Sequence, residues 1–379
     1  MKGKTGVIFW ILFLTVSVIY IHAASTGQEQ KKPPQMKKWD EMTDKEKEER
    51  RKKMRGYRDD MVKIFNEKLA HRFVPEVESV SVSPTPARAG KPVQMQVKAR
   101  QAKEAKDKIT KVEAFYTEPG GEFFDNQVEL KSGDGKLWKG TLPAFKGKGV
   151  VRYYIQVSDS AGNVYSDLPC DVKAWPPADD PCMVTVAADP EPVDDEKIQI
   201  EDDFDIWEIR IGTDKKNYYI QQNVEGKIKK GTLNPLKVNI YMGILLDTSK
   251  LSDLDDISVF WGSGEESEEA RKEKSGMSAW IWYTPLAPSL HKEAPACALG
   301  VAQMGEERFD TKNIACKSDG SDLYFRIVRS RLPEGMRKTM TIVGGITGYA
   351  DDPQMPIPKM RDMTQFSKFG FDRRSFRVE

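Results

Sequence analysis

Short runs of alternating apolar and polar residues fill most of the chain after residue 76, and residues 206–211 show the pattern most clearly. Two sets of side chains alternate there, Ile206, Glu208 and Arg210 in one set and Trp207, Ile209 and Ile211 in the other. A period of two residues is typical of a strand with one buried face. Because residues 217–221 and 239–247 continue the pattern, the sequence predicts three neighbouring strands.

A period of three to four residues marks the segment that precedes the strands. It predicts one apolar face of a helix over residues 44–71, formed by Met54, Tyr57, Met61, Phe65 and Leu69. Thr43 and Glu46 have the spacing of a capping box at its start. The first two turns are almost entirely charged, so we expect a solvated helix whose second half packs on the next domain. A docking arm or spacer toward a partner or the cell envelope is the alternative.

Residues 76–174 contain short strand-like runs punctuated by Pro and Gly, which predict a sandwich. The aromatic run 151–158, followed by the turn Asp159 to Asn163, resembles the penultimate strand and turn of bacterial immunoglobulin-like and fibronectin-like modules. The resemblance implies a spacer or adhesion unit without a site of its own. Asp159 and Asn163 are candidate calcium ligands, although both residue types favour such turns for backbone reasons alone.

Two Pro-rich stretches within 20 residues of each other predict a joint between two domains. The expected fold is all-β, with two β-sandwiches after a signal peptide and a charged helix. The predicted boundaries are a signal peptide at 1–23, a polar linker and helix at 24–75, an immunoglobulin-like sandwich at 76–174, the joint at 175–195 and a second sandwich at 196–379.

The N-terminus has the features of a secretory signal. Lys2 and Lys4 precede an apolar run at residues 7–20, and a small-residue stretch allows cleavage after Ala23. The run is shorter than the roughly 20 residues of a spanning helix, but an uncleaved anchor stays open. We therefore expect an exported protein, in the periplasm, at the cell surface or outside the cell, without an integral membrane segment after cleavage.

The charges of the chain are balanced, with 59 basic and 58 acidic residues. Loss of Lys2 and Lys4 with the signal would change the net charge from +1 to −1. Binding to nucleic acid needs a clustered basic face, and a balanced composition gives no indication of one. No nucleic-acid partner is therefore expected. The sequence does not predict the oligomeric state.

The four cysteines fall into two local pairs, Cys170 with Cys182 and Cys297 with Cys316. An oxidising compartment permits both bridges, and each would close a short loop. Four buried free thiols are the alternative. Neither pair has the two-residue spacing of zinc ligands.

Histidine-based catalysis has little support, because only His71 and His291 remain after signal removal and they lie in different predicted domains. Haem binding through Met and His ligands is not expected either, since His291 lies in a predicted loop. A glycoside hydrolase needs only two suitably spaced carboxylates, and no pair stands out among the many acidic residues.

The second predicted sandwich resembles the sugar-binding β-sandwiches of family-nine carbohydrate-binding modules and their DOMON-like relatives. The resemblance rests on the strand rhythm and on four residues, Asp205, Trp207, Asp214 and Asp247. In that family a pair of aromatic residues clamps a terminal sugar, and the resemblance points to Trp280, Trp282 and Trp261 as the platform. Trp280 and Trp282 share one face of a predicted strand. Aromatic residues in strands are more often part of the core, which is the competing interpretation.

Structural calcium is the second chemical expectation from the same resemblance. Asp202, Asp203 and Asp205 lie just ahead of a predicted strand, and hard cations take several carboxylate and carbonyl oxygens. A solvated acidic start of a strand is the alternative.

Together these features predict a non-catalytic exported protein that recognises a glycan through its C-terminal sandwich. The alternative is a structural or assembly protein of the cell envelope, in which the same sandwich binds another protein. Exposed ring positions favour a glycan, whereas an apolar outer face or a bare strand edge favours a protein. A glycan-active hydrolase with unplaced carboxylates is the third possibility.

Overall fold

The computed structural model describes residues 42–188, 202–233, 236–246, 277–290, 295–301, 310–332, 334–338, 340–351 and 359–379. Strands dominate this part of the chain, which confirms the all-β prediction. The N-terminal half contains α1 (Asp44–Leu69), β1 (Glu76–Ser83), β2 (Val93–Arg100), β3 (Ile109–Tyr116), β4 (Asn126–Leu130), β5 (Leu137–Leu142), β6 (Gly149–Asp159), β7 (Val164–Asp167) and β8 (Val184–Ala188).

The C-terminal half continues with strands and three short helical segments. Its strands are β9 (Ile206–Thr213), β10 (Asn217–Val224), β11 (Gly231–Leu233), β12 (Leu236–Leu246), β13 (Met277–Tyr283), β14 (Cys297–Val301), β15 (Ile314–Asp319), β16 (Asp322–Val328), β17 (Met340–Ala350), β18 (Lys359–Met363), β19 (Phe366–Gly370) and β20 (Arg374–Val378). The helical segments are α2 (Ala287–Leu290), a 3-10 turn (Arg329–Arg331) and α3 (Glu334–Lys338).

Helix α1 begins at the predicted capping box. The backbone N–H of Thr43 donates to Oε2 of Glu46 at 2.7 Å, and the N–H of Glu46 donates to Oγ1 of Thr43 at 3.3 Å. These reciprocal bonds satisfy two donors that a helix leaves unpaired at its start. Farther along, Ile64 packs against the protein core, so the second half of the helix contacts the rest of the protein. The side chains of the predicted apolar face lie outside the described part of the structure.

The strands form three sheets. A three-stranded sheet has the order β1-β2-β5, and a five-stranded sheet has the order β15-β16-β10-β9-β8. The third sheet has twelve strands in the order β14-β13-β12-β17-β19-β7-β6-β3-β4, with β11 on β12, β18 on β17 and β20 on β6.

The three-stranded sheet packs on the β3–β6 part of the twelve-stranded sheet, and we call this unit the first sandwich. In β2 every second residue is buried, beginning at Val93. Its buried side chains meet Ile155 and Val157 of β6 in one core. The alternation in the sequence therefore reports directly which side of β2 faces inward.

The five-stranded sheet packs on the β12–β14 part of the large sheet, and we call this unit the second sandwich. Ile209 and Ile211 of β9, Ile220 of β10 and Phe325 of β16 share its core with Ile281 of β13. These five side chains are each no more than 3% exposed. The opposite face of the five-stranded sheet is consequently the one available for polar side chains.

The last two strands return to the first sandwich. β19 runs parallel to β7, and β20 pairs antiparallel with β6 from Arg374 opposite Tyr153 to Val378 opposite Gly149. The buried ring of Phe376 lies 5.8 Å from that of Phe145, centroid to centroid. Residues 366–378, which the sequence boundaries group with the second sandwich, thus pair with strands of residues 149–167. The boundaries themselves stay predictions.

Both predicted disulfides are present. Cys170 bonds Cys182, and Cys297 bonds Cys316. The second bridge joins β14, an edge strand of the twelve-stranded sheet, to β15, an edge strand of the five-stranded sheet. The first closes a loop of residues 170–182 next to β8, the other edge of the five-stranded sheet, and we call it the disulfide loop. Disulfides persist in oxidising compartments, so both bridges indicate an exported protein.

Within the described ranges, no helix has the length and apolar character needed to cross a membrane. The predicted signal at residues 1–23 lies outside the described residues.

Candidate functional site

The outer face of the five-stranded sheet carries a set of ordered polar side chains, and we call it the polar face. Alternation places the core residues of β9, β10 and β16 on one side of the sheet and the polar residues on the other. The polar residues are Glu208, Arg210, Gln221, Asn223, Asp322 and Tyr324. Gln221, Asn223 and Tyr324 are each at most 7% exposed.

Strand register arranges these residues in two rows. Asn223 lies opposite Glu208 on one side and Asp322 on the other, while Gln221 lies opposite Arg210 and Tyr324. Residues two apart on one strand are roughly 7 Å apart. The face therefore has an acidic end and a basic middle.

Hydrogen bonds hold the acidic end in place. Oγ1 of Thr185 donates to Oε1 of Glu208 at 2.5 Å, and Nδ2 of Asn223 donates to Oε2 of the same carboxylate at 3.2 Å. The hydroxyl of Tyr324 donates to Oδ2 of Asp322 at 3.0 Å. Burial and the neighbouring Asp322 carboxylate raise the pKa of Tyr324, so its hydroxyl keeps its proton and remains a donor.

Arg210 connects the polar face to the disulfide loop and to the start of β8. Its Nη1 donates to the carbonyl of Ala178 at 3.1 Å and to Oε1 of Gln221 at 3.3 Å, and its Nη2 donates to the carbonyl of Met183 at 3.3 Å. Gly212 lets the disulfide loop and Met183 approach β9 closely, because a Cβ at this position would lie 2.5 Å from the side chain of Met183. The loop is therefore packed tightly against β9.

Trp175 of the disulfide loop forms the aromatic end of the polar face. Its ring lies 6.1 Å from that of Tyr219, and the guanidinium of Arg326 lies 5.0 Å from its centroid. Tyr219 in turn donates its hydroxyl to Oδ2 of Asp214 at 2.7 Å. Burial, together with this carboxylate, raises the pKa of Tyr219 to about 12.

Trp207 lies at the opposite end, next to Glu208 in β9. Asn223 pairs with Glu208 and Val224 pairs with Ile206, so a bulge leaves Trp207 without a partner in the register. Trp207 is 46% exposed. The bulge also breaks the strict alternation predicted from the sequence, because Ile206 belongs to the core with Ile209 rather than to the set of Glu208 and Arg210.

Comparisons with known proteins do not assign this chain to a family. No protein-family model matches it, and no curated protein matches it. Solved structures with detectable similarity include a conjugative transposon lipoprotein from Bacteroides eggerthii, at 17% identity over 25% of this chain and 92% of that one, with a TM-score of 0.17.

Two adhesins are also similar. The Yersinia pseudotuberculosis adhesin InvE matches at 9% identity over 80% of this chain and 60% of that chain, with a TM-score of 0.16. The collagen adhesin of S. aureus matches at 9% identity over 81% of this chain and 96% of that chain, with a TM-score of 0.15. At these scores none of the similarities identifies a fold or a function for this chain.

The tryptophans predicted as a sugar platform lie elsewhere, on β13 of the large sheet. Trp282 is 8% exposed and Trp280 is half-buried. Trp280 lies opposite Gly300 of β14, and a Cβ on that glycine would be 2.2 Å from Cε2 of the indole. Ile281 belongs to the core of the second sandwich, so the two tryptophans share the other face, as the alternation predicts. Trp261 lies outside the described residues.

Of the acidic residues predicted to bind calcium, Asp203 has a basic partner nearby. Oδ2 of Asp203 lies 2.6 Å from Nζ of Lys229, while Asp202 is exposed and Asp205 is half-buried. In the part of the chain that the structure describes, no group of three or more His, Cys, Asp or Glu residues is placed to hold a metal ion. Calcium binding by Asp202, Asp203 and Asp205 stays a prediction. Asp247, named by the resemblance, lies outside the described residues.

The carboxylate of Asp159 accepts four hydrogen bonds. Oδ1 accepts from the backbone N–H groups of Ala161 and Asn163, and Oδ2 accepts from the side chains of Asn163 and Gln101. The turn itself therefore supplies three of the four bonds, and Gln101 supplies the fourth.

His71 is the one histidine among the described residues, and its Nδ1 lies 2.8 Å from Oδ2 of Asp107. His291 lies outside them. Sequence reasoning found Glu208 and Arg210 as strand residues but missed them as members of a polar surface. The signal was present in the polar run of Gln221, Gln222 and Asn223 in β10, of which Gln221 and Asn223 share one face of the strand.

Proposed function

We propose that this protein is a non-catalytic exported binding protein that recognises a glycan through the polar face. The single observation that carries the proposal is the exposed ring of Trp207 beside the ordered row of Glu208, Asn223 and Asp322. A saccharide can stack on an exposed large aromatic ring and at the same time form hydrogen bonds with fixed polar groups beside it.

The physical match lies in the two kinds of surface that a sugar ring presents. Its C–H groups form an apolar face that can lie on an indole ring, and its hydroxyls need donors and acceptors at fixed positions. Trp207 and Trp175 provide rings at the two ends of the polar face, separated along the strands by roughly 13 Å or more. Between them lie amide, carboxylate and guanidinium groups.

The proposed site is rigid before a ligand arrives. Glu208 is fixed by two hydrogen bonds, Arg210 by three, and Tyr324 by its bond to Asp322. A binding site that is already ordered loses less side-chain entropy when the ligand binds. The network therefore supports recognition rather than a purely structural function.

The test is an array of neutral, amino-bearing and acidic oligosaccharides probed with the full chain and with Trp207→Ala. We expect binding to at least one class, with Trp207→Ala weakening it at least about tenfold. Val150→Ala is the matched control, because Val150 on β6 has the same exposed fraction of 46%. Equal binding by both variants, or no binding by the unchanged protein, would contradict the proposal.

A protein partner is the second candidate, and one observation favours it. Phe123, in the loop between β3 and β4 of the first sandwich, is 60% exposed. A photoreactive phenylalanine analogue at position 123 is expected to give one discrete cross-linked product in the exported fraction of expressing cells. Absence of any cross-link would count against this function.

A further inference from the structure

The acidic end of the polar face extends across four strands. Glu208 on β9 lies opposite Asn223 on β10, Asn223 lies opposite Asp322 on β16, and Asp322 lies opposite Asp319 on β15. We call these four residues the acidic row. Neighbouring strands are about 4.8 Å apart, so the row is roughly 14 Å wide.

Three side-chain donors in or beside this row point at its carboxylates. Thr185 and Asn223 both donate to Glu208, and Tyr324 donates to Asp322. A carboxylate accepts at about four lone-pair positions. Glu208 and Asp322 therefore keep acceptor capacity beyond these bonds, whereas the hydroxyls of Thr185 and Tyr324 are already used as donors and Nδ2 of Asn223 has one N–H directed at Glu208.

Asn223 adds one further acceptor. It is 7% exposed, and its Oδ1 has no hydrogen-bond partner among the residues that the structure describes. The bond from its Nδ2 to Glu208 fixes the amide within the row. A buried acceptor without a donor is unfavourable, so a ligand that brings a donor to this end of the face would relieve that cost.

The basic groups of the polar face lie outside the acidic row. Arg210 is directed at backbone carbonyls and at Gln221, and Arg326 lies over the ring of Trp175. Lys317 is exposed and lies opposite Tyr324, two residues from Asp319 along β15, which is roughly 7 Å. Three carboxylates thus stand together at one end of the face.

We infer that the acidic row selects a saccharide that carries a protonated amino group. This inference rests on the proposed glycan function. An ammonium group brings three donors and a positive charge, and its hydrogen bonds to carboxylates are charge-assisted. A neutral sugar brings hydroxyl donors without the charge. A uronic acid or a sulfated sugar brings acceptors and a negative charge, so the row repels it.

The experiment is a calorimetric titration of the full chain with three oligosaccharides of equal length, namely glucosamine, N-acetylglucosamine and a uronic acid. The titrations are run below the pKa of the sugar amine and at low ionic strength, because salt screens exposed charges. We expect glucosamine to bind about tenfold tighter than N-acetylglucosamine, and the uronic acid to bind weakest. Added salt should reduce the preference.

Two variants assign the preference to the acidic row. Glu208→Gln removes one charge at the centre of the hydrogen-bonded network, and Asp319→Asn removes one at the exposed hairpin end. Each is expected to lower the glucosamine preference several-fold. Glu118→Gln, which changes an exposed acid in the first sandwich, is the matched control and should leave it unchanged. Retained folding of Asp319→Asn, checked by circular dichroism, keeps the test valid if Glu208→Gln unfolds.

The outcomes separate the two ideas. Binding of N-acetylglucosamine without a preference for glucosamine, or a preference that neither acidic-row variant lowers, overturns the inference and leaves the glycan function standing. Failure of all three sugars to bind overturns the inference, and it overturns the glycan function as well if the oligosaccharide array also shows no binding. A preference for the uronic acid would show that the basic middle of the face, rather than the acidic row, controls selection.

Discussion

The guanidinium of Arg374 donates a hydrogen bond from Nε to Oδ2 of Asp167 across 2.8 Å. Asp167 is completely buried, and its other oxygen accepts the hydroxyl of Tyr165 at 2.9 Å. Burial raises the pKa of this carboxyl group, and the bond to Arg374 opposes that effect. The pair joins β7 to β20, two strands whose residues are separated by 207 positions in the sequence.

Removal of Arg374 is expected to destabilise the first sandwich strongly. Arg374→Ala leaves the buried Asp167 carboxylate without its cation, which typically costs about 3–5 kcal/mol. Urea unfolding of the full chain measures the loss. Arg377→Ala, which changes an exposed arginine on the same strand, should cost less than about 0.5 kcal/mol. Equal losses in the two variants would mean that the buried pair does not anchor β20.

Asp362 is expected to make stability depend on pH. Burial raises its pKa to about 6, and the Asp205 charge adds to this, although the backbone N–H groups of Ile206 and Met363 and the charge of Lys68 oppose it. The native state therefore holds this proton up to about pH 6, whereas the unfolded chain releases it near pH 4. Stability due to this group is present below pH 4 and falls as pH rises to 6, by about 3 kcal/mol.

Asp362→Asn should remove the fall in stability between pH 4 and pH 6, because the amide does not titrate. Thermal unfolding of both proteins at pH 4, 5, 6 and 7 measures this dependence. Asp125→Asn, at an exposed acid of the first sandwich, should keep the slope of the unchanged protein. A slope that survives in Asp362→Asn would assign the pH dependence to another group.

Trp282 and Trp207 should differ in how much they contribute to the free energy of unfolding. Trp282 is 8% exposed, and truncation of a buried tryptophan typically costs about 3–5 kcal/mol. Trp207 is 46% exposed, so Trp207→Ala should cost no more than about 1 kcal/mol. Chemical unfolding of both variants checks this. A large loss of stability in Trp207→Ala would place that ring in the core and remove it from the proposed site.

The disulfide loop should matter for binding as well as for stability. Replacing Cys170 and Cys182 by Ser opens a loop with a sequence separation of 12, which costs about 2–3 kcal/mol. It also frees the segment that carries Trp175, so binding of the oligosaccharide identified on the array should weaken several-fold. Replacing Cys297 and Cys316 should cost similar stability and leave the contacts of Trp175 in place. Unchanged binding in the first variant would exclude Trp175 from the site.

Local features of this fold were predictable from the sequence. The capping box of Thr43 and Glu46 and both disulfide pairings involve residues close together in the chain, and the structure contains all of them. The pairing of β20 with β6 was not predictable, because it joins distant segments and no local pattern in residues 374–378 indicates the partner strand.

The polar face was only partly predictable. A period of two separates Glu208 and Arg210 from Ile209 and Ile211 and indicates that the isoleucines face the core, but it does not show which polar residues of other strands lie beside Glu208 and Arg210. The bulge after Ile206 then changes the register, and this places Trp207 outside the regular pairing. Trp280 and Trp282 were predicted as a sugar platform because they are adjacent on one face of a strand. The same pattern is typical of buried strands.

The measurement that tests the account most directly is an oligosaccharide array probed in parallel with the full chain, Trp207→Ala and Trp280→Ala, with each signal corrected for the folded fraction. If the glycan binds at Trp207 on the polar face, the unchanged protein and folded Trp280→Ala bind alike, and Trp207→Ala loses at least about 90% of the signal. Loss of binding in folded Trp280→Ala with full binding in Trp207→Ala would contradict it, and would move the site to the large sheet.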